Sequence, residues 1–170
     1  MSTRVRSITA VRVVLVLLGV TAGPAAAGSK TYFTGTEYLV ADHDPGEEFF
    51  PDGRYHLRGG VSETLWEATD SRLDGAVSLF TINWNFMFEP EPVWFSGPMW
   101  GTFVITNDGG TWEGSFTGVR EENGDSFFHY VGHGSGGYEG LQLRMWGERL
   151  DPNPYLVPTS WNGYILETGG

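Results

Sequence analysis

The 170-residue chain contains no cysteine. No disulfide can therefore constrain its unfolded state, and a folded form must be stabilised by its core alone. A G-x-S-x-G nucleophile elbow is missing too, and no Ser/His/Asp order stands out, so nucleophilic hydrolysis has no sequence support. Nothing matches the ordered oxygen spacing of an EF-hand. The longest apolar run, Val13 to Val20, falls well short of the roughly 20 residues that a membrane-spanning helix needs. Beyond that run there is no alanine-, leucine- or lysine-rich stretch of the kind that builds long helices.

The amino terminus reads as a secretory signal. Arg4, Arg6 and Arg12 form a positive region, Val13 to Val20 an apolar one, and Ala25-Ala26-Ala27 a small-residue cleavage site. Residues 1–27 are expected to be removed, leaving residues 28–170 as a single secreted or periplasmic domain. The arginines are not adjacent, so a twin-arginine signal is unsupported, and no cysteine follows for lipidation. Removing the signal takes away three arginines and no acid, moving the formal charge from −11 to −14. So acidic a domain argues against nucleic acid or anionic membranes as partners. A domain of 143 residues is long enough to bury roughly two-thirds of its unfolded surface.

What is abundant is glycine, 25 residues, and aromatics, 15% of the chain. Glycine supplies turns and bends, and aromatics favour pleated, half-buried surfaces. Turn signals recur at short intervals: Asp44-Pro45-Gly46, Pro51-Asp52-Gly53, Asp74-Gly75, Asn107 to Gly110, Asn123-Gly124-Asp125, Ser135-Gly136-Gly137 and Asp151 to Pro154. Between them, residues alternate in strand-length segments. Phe80, Ile82, Trp84, Phe86 and Phe88 share one face, and Trp112, Gly114, Phe116 and Gly118 another. This pattern predicts an all-β fold, a single small antiparallel barrel of about eight strands in meander order. Strands are expected near Lys30 to Val40, Arg54 to Thr69, 80–88, 100–105, Thr111 to Val119, Ser126 to Gly134, Gly140 to Arg149 and Trp161 to Glu167. Glu63 to Leu73 does not alternate cleanly and could instead hold a helical turn.

One motif is written twice: "GGTWEG" at 109–114 and "GGYEG" at 136–140. Paired glutamates could serve carboxylate chemistry if they faced each other about 5–10 Å apart. Alternation instead sets Glu113 opposite Trp112, and Glu139 opposite Tyr138. If the aromatics pack inward, both acids face solvent, and a one-residue slip would exchange them. Glu89 and Glu91 form a second acidic pair in Glu89 to Phe95, which reads as a rigid rim loop. His129 and His133 share a face but stand roughly 13 Å apart, too far for one metal unless a bulge at Gly132 intervenes. Asp42-His43-Asp44 with Glu47-Glu48 reads as a hydrated acidic loop. No metal or cofactor is expected.

The segments Trp100-Gly101-Thr102-Phe103, Gly110 to Gly114, Gly132 to Gly140 and Asn162-Gly163-Tyr164-Ile165 share a glycine rhythm on consecutive strands. From about Asp70 to Ile165 the chain resembles the allene oxide cyclase/dirigent-like β-barrel superfamily and related exported bacterial proteins. That resemblance implies a small eight-stranded barrel holding a hydrophobic small molecule, which some members steer through cyclisation or radical coupling. No catalytic position of the family is carried onto this chain.

The seven tryptophans are the most suggestive feature. Trp84, Trp100, Phe103, Trp112, Tyr138 and Trp146 are the expected ligand-contacting residues of an interior that binds a hydrophobic or aromatic molecule. A cyclase- or isomerase-type enzyme would use the same cavity, with one inward polar group, Glu113, His129 or Arg144, polarising the substrate. Arg144 could otherwise pair with Glu113 across the sheet. A third reading is a filled barrel with a structural or surface-interaction role.

Overall fold

The computed structural model describes residues 28–87, 96–151, 153 and 156–167. The expected signal peptide, the Glu89/Glu91 pair, the rim loop with its Trp94, and part of the Asp151 to Pro154 turn lie outside these residues.

Nine strands follow one another: β1 (Lys30–Asp44), β2 (Glu47–Phe49), β3 (Arg54–Ala68), β4 (Val77–Met87), β5 (Gly97–Asn107), β6 (Gly110–Arg120), β7 (Ser126–Gly136), β8 (Leu141–Arg149) and β9 (Thr159–Glu167). Each hydrogen-bonds to its neighbour in chain order from β3 to β9, and β1 pairs with both β9 and β3. The sheet therefore closes on itself as an eight-stranded antiparallel meander barrel, and closure removes most of the edges that an open sheet would expose. The short β2 continues the line of β1 along β3, after a break at Pro45-Gly46.

Two irregularities set which side chains enter the lumen. On β3 the register jumps between Leu57 and Gly60. Gly59 takes φ +72° there, a left-handed conformation that side chains rarely adopt. The one extra residue shifts the alternation by one, so that Leu57 and Gly60 are both buried. On β1, shifts between Leu39 and Ala41 and between Asp42 and Asp44 bend the strand end, and both Leu39 and Asp42 reach the interior cavity. Asp42, His43 and Asp44 were expected in an acidic loop. They belong to the strand, where Ser62 donates to Asp42 at 2.6 Å and His43 Nε2 lies 2.6 Å from Glu63. Glu63 also lies on a strand, because Leu65 faces outward while Trp66 is fully buried. After β3, helical character is limited to the turn in which the Asp74 amide donates to the Asp70 carbonyl.

One end of the barrel is solid. Trp66, Leu73, Ile105, Trp112, Leu143 and Ile165 are all fully buried there. Leu73 enters from the 69–75 turn, which is held by the Trp112 indole N–H donating to the Arg72 carbonyl at 3.2 Å. Above this plug lies an aromatic layer, in which Tyr130 stands 5.0 Å from Phe103, 5.0 Å from Phe116 and 4.6 Å from Trp161, centroid to centroid.

The echoed motif is the seal of the solid end. Trp112 stacks on Tyr138 at 4.9 Å, and the Gly137 amide donates to the Gly109 carbonyl at 3.1 Å. The Tyr138 hydroxyl reaches back to Asn107. Glu113 and Glu139 are exposed, as the inward aromatics require. Glycines recur on the inner wall because rings lie over them: a Cβ on Gly114 or on Gly132 would meet the Phe103 ring at 2.8 Å. Gly132→Ala is expected to destabilise the fold by roughly 1–3 kcal/mol through overpacking. Equal urea midpoints for variant and parent would contradict this packing account.

Candidate functional site

The other end of the barrel is hollow. A cavity of about 340 Å³ lies where β4, β6 and β8 end and β5, β7 and β9 begin. That volume sits at the small end of the range for ligand pockets. Six rings line it: Phe80, Trp84, Phe86, Phe116, Phe128 and Tyr130. Ile82 and Met99 complete the apolar wall on β4 and β5.

The opposite wall is polar, and strand register places it. Glu37 on β1 pairs with Thr159 on β9. Glu148 pairs with Ser160, which brings Arg149 beside Thr159. Arg149 pairs in turn with Ser126 on β7, and Ser126 with Arg120 on β6. Glu37, Thr159, Arg149, Ser126 and Arg120 thus form one arc across five consecutive strands. Four of them line the cavity, and Ser126 is buried between the two arginines.

Glu37 is only 6% exposed. Its carboxyl accepts from Thr64 Oγ1 at 2.7 Å and from the Trp161 indole N–H at 2.9 Å. Burial pushes its pKa up to about 7, against the pull of those two hydrogen bonds and of the Arg149 charge. Burial also raises the Tyr130 phenol well above its ordinary range, and the Glu37 charge adds to that effect. The Arg149 guanidinium is lowered by burial, partly offset by Glu37, Tyr130 and Asp151. Burial, and then repulsion from Arg149, lower Arg120 to about 10. Both arginines remain cations at neutral pH. Arg120 Nε donates to Ser126 Oγ at 3.4 Å and the guanidinium lies 5.4 Å from the Phe86 centroid. Arg149 Nε donates to the Asp151 carbonyl at 3.2 Å, with its guanidinium 5.9 Å from Phe128. Chemically, the site offers two fixed cations and a carboxyl poised to exchange a proton near neutrality.

The residues singled out from the sequence divide sharply. Trp84 lines the cavity. Phe103 and Trp112 point inward but are packed solid, and Tyr138 caps the filled end. Trp100 and Trp146 lie on the outer surface, where Arg58 covers Trp100 at 4.9 Å and His129 stacks on Trp146 at 5.5 Å. The three polar candidates Glu113, His129 and Arg144 all sit on outward positions, because their strand neighbours Trp112, Tyr130 and Met145 are the buried ones. The suggested Glu113–Arg144 pair does not form: Glu113 lies opposite His133, and Arg144 opposite Val131 and Tyr164. The β6–β7 register runs unbroken through Gly132, so no bulge draws His129 and His133 together. No cluster of three or more potential metal ligands occurs among the described residues.

Sequence reasoning passed over Glu37, Arg120 and Arg149. One signal was available, since Phe33, Gly35 and Glu37 alternate on one face of β1 as aromatic, glycine and acid. The chain was compared with protein-family models, curated proteins and solved structures, and it matches none of them.

The raised carboxyl gives the fold a definite pH signature. Folded Glu37 keeps its proton up to about pH 7, whereas an unfolded glutamate releases it near 4.5. Between those values the folded state binds more protons, so this group lowers stability as pH rises through the window, by roughly 3 kcal/mol in all. Glu37→Gln keeps an acceptor for Trp161 and a partner for Thr64 without the ionisation. The variant is expected to gain stability relative to the parent as pH rises from 4.5 to 7. Parallel stability–pH curves would remove Glu37 as a buried acid.

Proposed function

We propose that this protein binds a small hydrophobic or aromatic molecule inside the barrel. The observation that carries the reading is the 340 Å³ space bounded by six aromatic rings at one end of a barrel whose other end is packed solid. An eight-stranded barrel is just narrow enough for side chains to fill, so a hollow end next to a filled one is a specific feature of this sequence. The same architecture supports the proposed kinship with allene oxide cyclase/dirigent-like barrels, and with it a carrier or a shape-imposing role.

A cyclase- or isomerase-type activity is the second reading, favoured by Glu37. A carboxyl with a pKa of about 7, opening onto an apolar cavity, can give or take a proton at neutral pH. Export is proposed from residues 1–27 alone. Protein recovered from its host is expected to begin at or near Gly28, and an intact mass retaining those residues would contradict it.

A neutral apolar dye such as Nile red tests the binding reading. It is expected to bind with a blue-shifted emission and to quench tryptophan fluorescence, since Trp84 is in the wall. Ile82→Trp places a ring in the cavity and should weaken binding about tenfold or more, a loss of over 1 kcal/mol. Val104→Trp on the outer face should leave it unchanged. Absence of dye binding, or equal effects of both substitutions, would favour a barrel that holds nothing.

A further inference from the structure

The cavity is two-faced, and its polar side sets two arginines, Arg120 and Arg149, opposite two acids, Glu37 and Asp42. The chain has a formal net charge of −11, yet two of its ten basic residues project into this one cavity. Their placement is set by backbone pairing: Arg120 and Arg149 both flank Ser126, each one strand away, so their Cα atoms stand roughly 10 Å apart. Two guanidinium groups directed inward from that separation can converge on a single small anion. Among the described residues, no carboxylate lies within ion-pair distance of Arg149. The acidic groups facing the pair are Glu37 and Asp42 on the cavity wall, with Asp151 acting on Arg149 from the β8 end. Asp42 is at the exposed rim, where it accepts from Ser62.

We propose that the occupant is a small aromatic carboxylate, its head group held between Arg120 and Arg149 and its ring lying against Phe80, Phe116 and Ile82. The inference rests on the reading of the cavity as a ligand site and adds the chemistry of the ligand. A guanidinium fork matches a carboxylate in plane and spacing, and a pair of forks holds it more tightly than one. A single negative charge suits the arc: it answers the repulsion between the two arginines without setting a second anionic charge against Glu37. Rings on the facing wall provide edge and face contacts that a flexible alkyl chain would use less fully.

The test is a matched pair of probes against the purified protein: naphthoate, and naphthalenemethanol, which has the same ring system and no charge. Each is titrated as a competitor of the neutral dye near pH 6, where naphthoate is ionised and Glu37 keeps its proton. Naphthoate is expected to bind at least about tenfold tighter than the alcohol, as charge-assisted hydrogen bonds in a low-dielectric site require. Arg120→Gln and Arg149→Gln should each bring the acid to the affinity of the alcohol while leaving the alcohol unaffected. Arg120→Lys should retain part of the preference. The comparison in the parent protein decides the matter even if a variant fails to fold. Equal affinity, or tighter binding of the alcohol, would overturn the carboxylate inference and leave the cavity reading standing. Failure of the dye and both probes to bind would remove the cavity reading itself, and the inference with it.

Discussion

The rest of the structure depends on how eight strands fill the space they enclose. Closing the sheet pairs most strands on both sides, but it leaves a cylinder that ordinary aliphatic side chains would fill unevenly. This chain fills it with rings laid over glycines: Phe103 over Gly114 and Gly132, Phe116 over Gly101, Trp161 over Gly147. Each glycine removes a Cβ from one strand so that an aromatic side chain from another can occupy the space. The glycine and aromatic abundance of the sequence are therefore one device. Without disulfides, the fold depends on how tightly those pairs interlock.

That filling stops part-way. On the plugged side, Leu73 and Trp112 seal the barrel with the 69–75 turn and the Gly136 to Gly140 turn. On the other side, the aromatic layer becomes a wall and the inner surface turns polar along one arc. Burying Glu37, Arg120 and Arg149 in such surroundings opposes folding, since charges removed from water are stabilised only in part by their hydrogen bonds. Residues of apolar type at those positions would pack without that penalty. The proposed ligand would account for their place in the interior, which stability alone does not.

Much of the fold was legible from period-two alternation and turn chemistry. Eight strands and their meander order follow from that pattern. The inward face did not, because Trp100 and Phe103 lie on opposite faces of β5 and both read as lumen residues, and a one-residue slip would exchange Trp112 for Glu113. The far end of β1 was not legible, because its two bulges rephase the alternation at Val40 and His43 and extend the strand to Asp44. The site was harder still. Trp100 and Trp146 read as lumen residues by type, yet parity with Phe103 and Met145 places them outside, where Arg58 and His129 cover them. Glu37 and Arg149 look like surface charges in any local window. Only the register of five strands, set by hydrogen bonds between distant segments, brings them into one arc.

The central claim is that the hollow end of the barrel holds an uncharged or half-charged carboxyl out of contact with bulk water. The most direct measurement is the side-chain carboxyl carbon of Glu37, followed by NMR through a pH titration with Glu37→Gln as the assignment control. The account predicts a midpoint near 7, well above the ordinary glutamate value of 4.5. A midpoint in the ordinary range would mean that Glu37 is hydrated, and that the arc lies in solvent rather than in a ligand-sized cavity.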